Sequence, residues 1–356
     1  CEDIVARFEE RFGIVIKPAK TPWLDDAAHK RYAAEKNEVG IYKEIAASPL
    51  MAGLYSARAA RPDQIVATLR LARAVHCWTK FDDRRLIRYL GYLRESAPEK
   101  LRGSLSTEDR DSCVLRFWPD ADLAGDPEVD TKSTSGRWVE IASTVSDRSM
   151  GTGWNGKKQG FSADSTAHAE LGSMHEGLKE DVIPLAGLME WFLGRPIVVE
   201  VCEDNMAALK AAKEGYSKNL RHLARHNRIN VGWLGEYFAE PNNVCRHADS
   251  ATHKGDLMTK EFSVDRFTEC KKLVGLSAAS VVQHYIFSGG VARGVDEHIA
   301  LVSTKEGAEK LAAELQAGVN CWVIDTGSGH NLVPRALLTN DEAEQVNVSG
   351  DALRLS

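Results

Sequence analysis

The chain lacks the cysteine patterns that mark zinc-binding and disulfide-stabilised proteins. Its seven cysteines are scattered over 356 residues, and no two of them form a C-x-x-C pair. The sequence also lacks an apolar run near the roughly 20 residues that a membrane helix needs, and no signal-peptide pattern is visible. We therefore expect a protein of a reducing intracellular compartment, with no membrane partner.

A strongly basic character is also missing. The net charge is -6, so any binding of nucleic acid must depend on local basic patches and not on the surface as a whole. With 43% hydrophobic and 27% charged residues, the composition is that of a globular protein with a sizeable core. The sequence begins at Cys1 instead of Met, which leads us to expect a piece of a longer protein.

Helical periodicity dominates the N-terminal part of the chain. Apolar residues recur at helical spacing over residues 63–80 and 84–94. Pro62 precedes the first of these stretches, at a position that favours a helix start. A shorter amphipathic stretch covers residues 4–12. We predict a largely helical segment over residues 1–103.

From Ser112 onward the pattern changes to that of a mixed α/β sheet. Three strand-like segments, the first of which ends at Asp120, are joined by glycine-containing turns. The remaining predicted elements are, in order, a helix over 166–193 interrupted at Pro184, a buried strand over 196–204, helices over 205–214 and 220–239, a short strand, and a terminal helix opened by Asp256. A hairpin region followed by β–α–β units indicates an α/β fold with a mixed sheet.

Four acidic residues of this region stand in separate, recognisable phrases. They are Asp120 in PDADLAGD, Glu170 in STAHAEL, Asp204 in CEDNMAAL and Asp256 in KGDLMTK. Taken singly, each is most simply a helix cap or a solvated turn residue. Strand ends on one sheet edge, with a helix alongside, can nevertheless bring such residues to one point. Clustered carboxylates repel each other, and the usual reason for a cluster is a pair of divalent cations that catalyse phosphodiester hydrolysis.

These phrases resemble the ribonuclease H domain of copia-type retrotransposon polyproteins. The family reads S-D-A-D-W-A-G-D and then K-S-T-S-G, and this chain has PDADLAGD and then KSTSG at residues 132–136. The segments GWNGKKQGFSADSTAHAEL, CEDNMAALK and DLMTKEF resemble, in the same order, the family's W-x-S-K-K-Q … S-S-T-E-A-E-Y, D-N-Q-A-A-I and D-I-F-T-K-P. Upstream, the chain is similar to the segment that links reverse transcriptase to ribonuclease H, so the match covers residues 40–262.

The resemblance implies a ribonuclease H-like mixed sheet with flanking helices, preceded by a helical connection segment. It implies that Asp120, Glu170, Asp204 and Asp256 are catalytic, metal-binding carboxylates that hold two Mg²⁺ ions, with Mn²⁺ as a substitute. Asp122 is a less favoured alternative to Asp120, on the expectation that its side chain faces the other side of the sheet. The implied activity is hydrolysis of the RNA strand of an RNA–DNA hybrid, within a reverse transcriptase polyprotein located in a cytoplasmic particle or the nucleus.

The resemblance also divides the chain into four segments. Residues 1–103 are expected to be the remnant and connection of a reverse transcriptase, 104–265 the ribonuclease H-like domain, 266–318 a helical linker, and 319–356 a partial aspartic protease-like segment. The aspartate pair of a polymerase palm, typically Y-x-D-D, is absent from the sequence. We therefore do not expect polymerisation from this piece.

The sequence VIDTGSG at residues 323–329 resembles the active-site turn of aspartic proteases. Such enzymes need two aspartates that share a proton around a water molecule. This chain supplies Asp325 alone, so protease activity would require a homodimer. The alternative interpretation is an ordinary Asp-Gly turn after a strand.

Two groups of basic residues are candidates for contact with the phosphates of a hybrid. The first group recurs at helical spacing and would form one basic face of a helix, with a solvated surface as the alternative interpretation; it consists of Lys218, Arg221, Arg225 and Arg228. The second group is Lys157 and Lys158 with Trp154, which either contact the substrate or form a hairpin tip.

Four histidines stand at positions that suggest a function. His247 and His253 stand near Asp256 and are candidates to assist product release, with solvated loop histidines as the alternative. His222 and His226 are four residues apart, the spacing of a metal-binding pair on a helix. No acid or third ligand accompanies them in the sequence, so we discount that pair.

Two further functions stay open. A decayed element would keep the fold and bind nucleic acid without assembling a metal site. Leu123 in place of the family's usual Trp and the loose match over residues 219–256 favour this interpretation. An aspartic protease precursor built around Asp325 is the other. Convergence of the four carboxylates within metal-bridging reach would favour the ribonuclease over the decayed element.

Overall fold

The computed structural model describes residues 1–124 and 131–278, together with the backbone of five short strands further along the chain. The chain forms two compact units, one of residues 1–105 with 109–278 and one of residues 106–108 with 279–356. In the second unit the described strands are β8 Phe287–Gly289, β9 Glu297–Ala300, β10 Asn320–Val323, β11 Val346–Ser349 and β12 Ala352–Leu355. Strand β9 pairs in parallel with β10 and antiparallel with β8, and β11 pairs antiparallel with β12.

Five α-helices make up the N-terminal part of the first unit. They are α1 Glu2–Phe12, α2 Asp26–Arg31, α3 Ala47–Ala59, α4 Ile65–Ala74 and α5 Lys80–Glu95. Helix α5 begins with a capping box, in which the side chains of Thr79 and Asp82 satisfy free backbone N–H groups of the first turn. Apolar side chains that include Phe8, Leu71 and Leu86 are buried between these helices. Helix α4 ends earlier than predicted because the chain tightens into a 3-10 turn at Val75–Cys77.

A five-stranded mixed sheet forms the centre of the first unit, and the predicted mixed α/β fold is confirmed. Its strands are β2 Cys113–Asp122, β3 Thr134–Ser143, β4 Ser149–Lys158, β5 Val198–Glu203 and β6 Asn243–His247. The order across the sheet is β4-β3-β2-β5-β6. Strands β2, β3 and β4 are antiparallel neighbours, whereas β5 runs parallel to both β2 and β6. A separate pair joins β1 Lys100–Leu101 to β7 Leu276–Ser277.

Helices cover one face of the sheet and enclose its larger core. The helices of this region are α6 Thr166–Gly177, α7 Ile183–Leu193, α8 Met206–Glu214, α9 Leu223–His226, α10 Val231–Ala239 and α11 Val264–Leu273, of which α11 packs on the other face. Phe117 of β2 and Val201 of β5 are buried against Leu171 and Met174 of α6 and Leu234 of α10. Each such side chain stabilises the fold by about 1.5–3 kcal/mol relative to an exposed position.

The second face of the sheet packs against aromatic residues and the N-terminal helices. Trp118 and Trp138 are buried there in one cluster with Phe267 of α11 and Ile65 of α4. The indole N–H of Trp154 donates to the carbonyl oxygen of Ala57 at 2.8 Å. The helical segment therefore packs directly on the sheet within this unit.

The predicted helix over 166–193 is interrupted, as expected. The break is a π-helical turn at Leu178–Val182, and Pro184 lies at the second position of α7. Proline has no N–H to donate, so the regular hydrogen-bond ladder cannot continue through it.

Two predictions about the later helices are wrong. Residues 220–239 do not form one helix, because α9 ends at His226 and α10 starts anew after Asn230, whose side chain caps it. Arg228, between the two, has a left-handed backbone with φ of 59°. Asp256 does not open a helix either, since it lies in a 3-10 turn at Gly255–Met258.

Candidate metal centre

Asp120 and Asp204 come together because their strands are parallel neighbours. Asp120 lies near the carboxyl end of β2, and Asp204 follows β5 directly. Parallel strands place their carboxyl ends at the same edge of a sheet. The side chain of Asn205 accepts from the backbone N–H groups of Ala207 and Ala208 at 3.0 Å each and so caps α8 immediately after Asp204. The Asp204 carboxylate also accepts a hydrogen bond from Ser250 Oγ at 3.0 Å.

Glu170 reaches the same edge from helix α6. The helix starts after Ser165, whose side chain accepts from the backbone N–H of His168. It packs over β2 and β3, so that Glu170 in its second turn is buried beside the sheet. The carboxylate oxygen Oε2 of Glu170 is buried and accepts no hydrogen bond from any described residue.

The structure brings the four predicted carboxylates together, with Asp120 in the middle. Ligand atoms of Asp120, Glu170 and Asp204 all lie within 4.8 Å of one another. A second group on the same Asp120 joins it to Asp256 and His253, again within 4.8 Å. We call these four acids the carboxylate cluster. Their assignment as catalytic residues remains a prediction.

Lys260 supplies a positive charge to the cluster in this structure. Its ammonium group lies 2.6 Å from Asp256 Oδ1 and 3.1 Å from Asp120 Oδ1. The hydroxyl of Thr259 donates to the other oxygen of Asp120. Burial works to lower the pKa of Lys260, but the charges of Asp120 and Asp256 outweigh it and raise that pKa. Lys260 is therefore a cation at neutral pH and partly neutralises the cluster.

His253 lies beside the cluster and not in a solvated loop, so that interpretation is wrong for this residue. It is fully buried, with Nε2 3.0 Å from the carbonyl oxygen of Cys202 and Nδ1 3.5 Å from Asp256 Oδ1. Burial disfavours its charge, but the nearby carboxylate of Asp256 and the charge of Asp120 raise the pKa of His253 to about 9. His247, by contrast, is exposed in β6.

The acids on the Glu170 side of the cluster resist ionisation. Burial, followed by the charges of Asp120 and Glu203, raises the pKa of Glu170 well above its usual range. Burial also raises the pKa of Asp120 against the opposing charge of Lys260. Removal from water is the main reason that these carboxyl groups favour their protonated forms, and repulsion between the acids adds to it.

A hard divalent cation fits this donor set. The ligands offered are carboxylate oxygens, which Mg²⁺ and Mn²⁺ prefer. The unpartnered oxygen of Glu170 and the raised pKa values on that side both indicate a place where added positive charge would stabilise the fold. The three residues best placed to hold such an ion are Asp120, Glu170 and Asp204.

Two residues at this site escaped the sequence analysis. Glu203 is fully buried next to Asp204, and burial raises its pKa to about 8. Its position at the end of an apolar strand is visible in the sequence, but an acid at a strand end is usually a solvated turn residue. Lys260 stands four residues after Asp256 in DLMTK, so its proximity to that acid was detectable in the sequence, whereas its contact with Asp120 was not.

The prediction that Asp122 faces away from Asp120 is wrong. Residues two apart on a strand share a face, and Asp122 lines a small cavity with Thr259, the partner of Asp120. Its carboxylate accepts a hydrogen bond from the backbone N–H of Thr134. Arg70 and Arg73 line the same cavity. Asp122 nevertheless lies outside the carboxylate cluster, because it belongs to neither group of ligand atoms within 4.8 Å of one another.

The basic groups differ from their predicted arrangement. Lys218, Arg221, Arg225 and Arg228 are all exposed, but they do not lie on one helix. Lys157 lies within β4 and not at a hairpin tip, and its ammonium group is 2.6 Å from Glu176 Oε1. Asp325 lies outside the described residues, so the protease-like segment remains a prediction.

Comparison with known proteins relates the chain to retroelement polyproteins. No family model matches the chain. It is similar to the retrovirus-related Pol polyprotein from transposon TNT 1-94 of Nicotiana tabacum, with 27% identity over 165 residues. That match covers 46% of this chain and 11% of the tobacco protein, so the chain spans a small part of its relative. The similarity supports a relationship to a retroelement polyprotein.

Among solved structures, the chain is similar to the prototype foamy virus protease-reverse transcriptase. The match covers 51% of this chain and 23% of the viral chain, at 13% identity and a TM-score of 0.26. Within the described part of the chain, no helix combines the length and the apolar character that spanning a membrane requires.

Proposed function

We propose that residues 104–265 form a ribonuclease H-like domain that hydrolyses the RNA strand of RNA–DNA hybrids as part of a retroelement polyprotein. The observation that carries this proposal is the convergence of Asp120, Glu170 and Asp204 within 4.8 Å, with Asp256 joined to Asp120 on the other side. The four acids come from four separate sequence phrases, each of which resembles the ribonuclease H pattern.

The fold supports the same proposal. Three antiparallel strands followed by two parallel strands, with helices on the flanks, match the mixed sheet that the resemblance implies. The helical segment that packs on the second face matches the expected connection region. The similarity to a Pol polyprotein supplies the context, with the remainder of that polyprotein as a partner.

The chain's own residues would prepare the site for a negatively charged backbone. Bound divalent cations supply an activated water and stabilise the charge that develops on the leaving 3′ oxygen. Asp120, Glu170 and Asp204 would hold the ions, and the buried setting would strengthen their electrostatic interactions. Lys260 partly neutralises Asp120 and Asp256.

The exposed basic segment is the proposed contact with phosphates of the hybrid. Lys218, Arg221 and Arg225 carry three positive charges on a chain whose net charge is -6. Such contacts give affinity without sequence preference and weaken as salt is raised.

The test is cleavage of a labelled RNA–DNA hybrid by the full chain with Mg²⁺. Asp204→Asn should lower the rate by roughly two orders of magnitude, the typical cost of removing one stabilising group from a reaction centre. Asp249→Asn is the matched control, because Asp249 is an exposed acid that caps the turn of Ser250, the partner of Asp204. It should cut at the wild-type rate.

Equal cleavage by Asp204→Asn and the wild-type chain would refute the assignment of this site. Asp122→Asn decides between the two acids of the first phrase, since Asp122 lies outside the carboxylate cluster. Retained cleavage in that variant supports Asp120.

The second candidate function is hybrid binding without hydrolysis. The contact of Lys260 with both Asp120 and Asp256 favours it, because the ammonium group occupies oxygens that a second cation would need. In that case the wild-type chain would bind the hybrid in a salt-dependent manner, with no cleavage in Mg²⁺ or Mn²⁺.

A further inference from the structure

Three potential metal ligands from separate parts of the chain meet beside the start of helix α6. Asp164 precedes the helix, His168 lies in its first turn, and His222 comes from the segment before α9. Their ligand atoms all lie within 4.8 Å of one another. Asp164 Oδ1 is 2.8 Å from Nδ1 of His168, and Asp164 Oδ2 is 3.2 Å from Nε2 of His222.

This group of three ligands is buried on one side and open to solvent on the other. His168 is buried, and its ring stacks on Phe161 at 5.1 Å with 8° between the planes. Nε2 of His168 has no hydrogen-bond partner among the described residues. The side chains of Asp164 and His222 are 59% and 35% exposed. An ion could therefore reach the group from solvent and keep a water molecule as a further ligand.

Local structure alone does not account for this arrangement. A histidine four residues after an aspartate often pairs with it at the start of a helix. That explains the contact of Asp164 with His168, but not the arrival of a second imidazole from a segment more than 50 residues away. The two rings stand edge to face with centroids 5.6 Å apart, so both present a nitrogen to one carboxylate.

The ligand types select the kind of ion. Two imidazole nitrogens and one carboxylate oxygen suit Zn²⁺ and its neighbours Co²⁺ and Ni²⁺. Mg²⁺ prefers an octahedral set of oxygen ligands and is a poor match. We propose that Asp164, His168 and His222 form a Zn²⁺-type site, distinct from the carboxylate cluster, which ties residues 217–228 to the start of α6.

This site would hold a segment with few other anchors. Leu220 and Leu223 are its buried apolar contacts, whereas Lys218, Arg221 and Arg225 point to solvent. A bound ion would add a third point of attachment, which joins this segment to the start of α6. It would therefore restrict the movement of the exposed basic residues.

The experiment is a titration of the full chain with Co²⁺ followed by visible absorption, and a repeat with Zn²⁺ by calorimetry, both in excess Mg²⁺ to fill the carboxylate cluster. We expect the chain to bind one Co²⁺ ion, with an absorption spectrum typical of nitrogen ligands. Added Zn²⁺ should displace this ion. Saturating Zn²⁺ should raise the melting temperature by roughly 5 °C and slow tryptic cleavage at Arg221 and Arg225.

His222→Ala and Asp164→Asn are the informative variants, because both side chains are partly exposed and their loss should leave the core intact. Each should weaken Zn²⁺ binding at least about tenfold, since one of three ligands is lost. His226→Ala is the matched control, as it lies on the same segment outside the ligand group, and it should bind Zn²⁺ normally.

Equal Zn²⁺ affinity in His222→Ala and His226→Ala would overturn the proposal, as would the absence of Zn²⁺ binding by the wild-type chain. Loss of the bound ion in Asp204→Asn but not in His222→Ala would also overturn it, because the ion would then lie in the carboxylate cluster. The outcome does not depend on hybrid cleavage, so this site and the proposed nuclease can fail separately.

Discussion

Replacing Lys260 by methionine should tighten the binding of divalent cations to the carboxylate cluster. The ammonium group lies 2.6 Å from Asp256 and 3.1 Å from Asp120, so an incoming cation must share these oxygens with it or displace it. Methionine keeps much of the side-chain length and removes the charge. The variant therefore isolates the electrostatic competition between Lys260 and the ion.

The expected size of the effect follows from the position of the side chain. Two unit charges about 4 Å apart interact by about 4 kcal/mol at an effective dielectric constant of about 20. Lys260 is 38% exposed, so it can move toward water as the ion enters and avoid most of this repulsion. We expect a net gain of about 1.4 kcal/mol, which corresponds to a Kd for Mn²⁺ that is lower by roughly tenfold.

The assay is isothermal titration of the full chain with Mn²⁺ at neutral pH. Lys254→Met is the matched control, because Lys254 lies in the same loop but pairs with Glu140, 2.5 Å away, and stands over the ring of Trp118. Its Kd for Mn²⁺ should equal that of the wild-type chain. An unchanged or higher Kd in Lys260→Met would show that Lys260 positions the carboxylates for the ion and does not compete with it.

Two pH effects should accompany the cluster. Burial raises the pKa of Glu203 from 4.5 to about 8, so its folded state keeps a proton that the unfolded chain releases. Its contribution to stability is present below pH 4.5 and is lost as the pH rises through about 8. Glu203→Gln should remove this pH-dependent loss of stability. If the melting temperatures of the variant and the wild-type chain change in parallel between pH 4.5 and about 8, the argument is contradicted. Because Glu170 also has a raised pKa, protons compete with Mn²⁺ for its carboxylate, and the Kd for Mn²⁺ should rise as the pH is lowered. A Kd independent of pH, measured by calorimetry, would refute this.

The local sequence pattern was sufficient to predict whether most elements are helices or strands. The helical spacing of α5 and the apolar, β-branched run of β5 depend on neighbours within a few residues, and both were predicted from the sequence. The phrases around Asp120, Glu170, Asp204 and Asp256 also singled out the acids that the fold later gathers. These features could be read because each is encoded within one short stretch of chain.

Tertiary structure decided the contacts within and around the cluster. Lys260 reaches Asp120 across 140 positions of the sequence, and no local period reports such a pairing. The turn that holds Asp256 and the break at residues 227–230 both replace predicted helix, and at the break the side chain of Asn230 caps a new helix. His222 was discounted with His226 for want of an acid and a third ligand, yet the fold supplies Asp164 and His168 from a distant segment. The sequence by itself determined which carboxylates are available, whereas charges and ligands brought together from remote segments determined how they are neutralised.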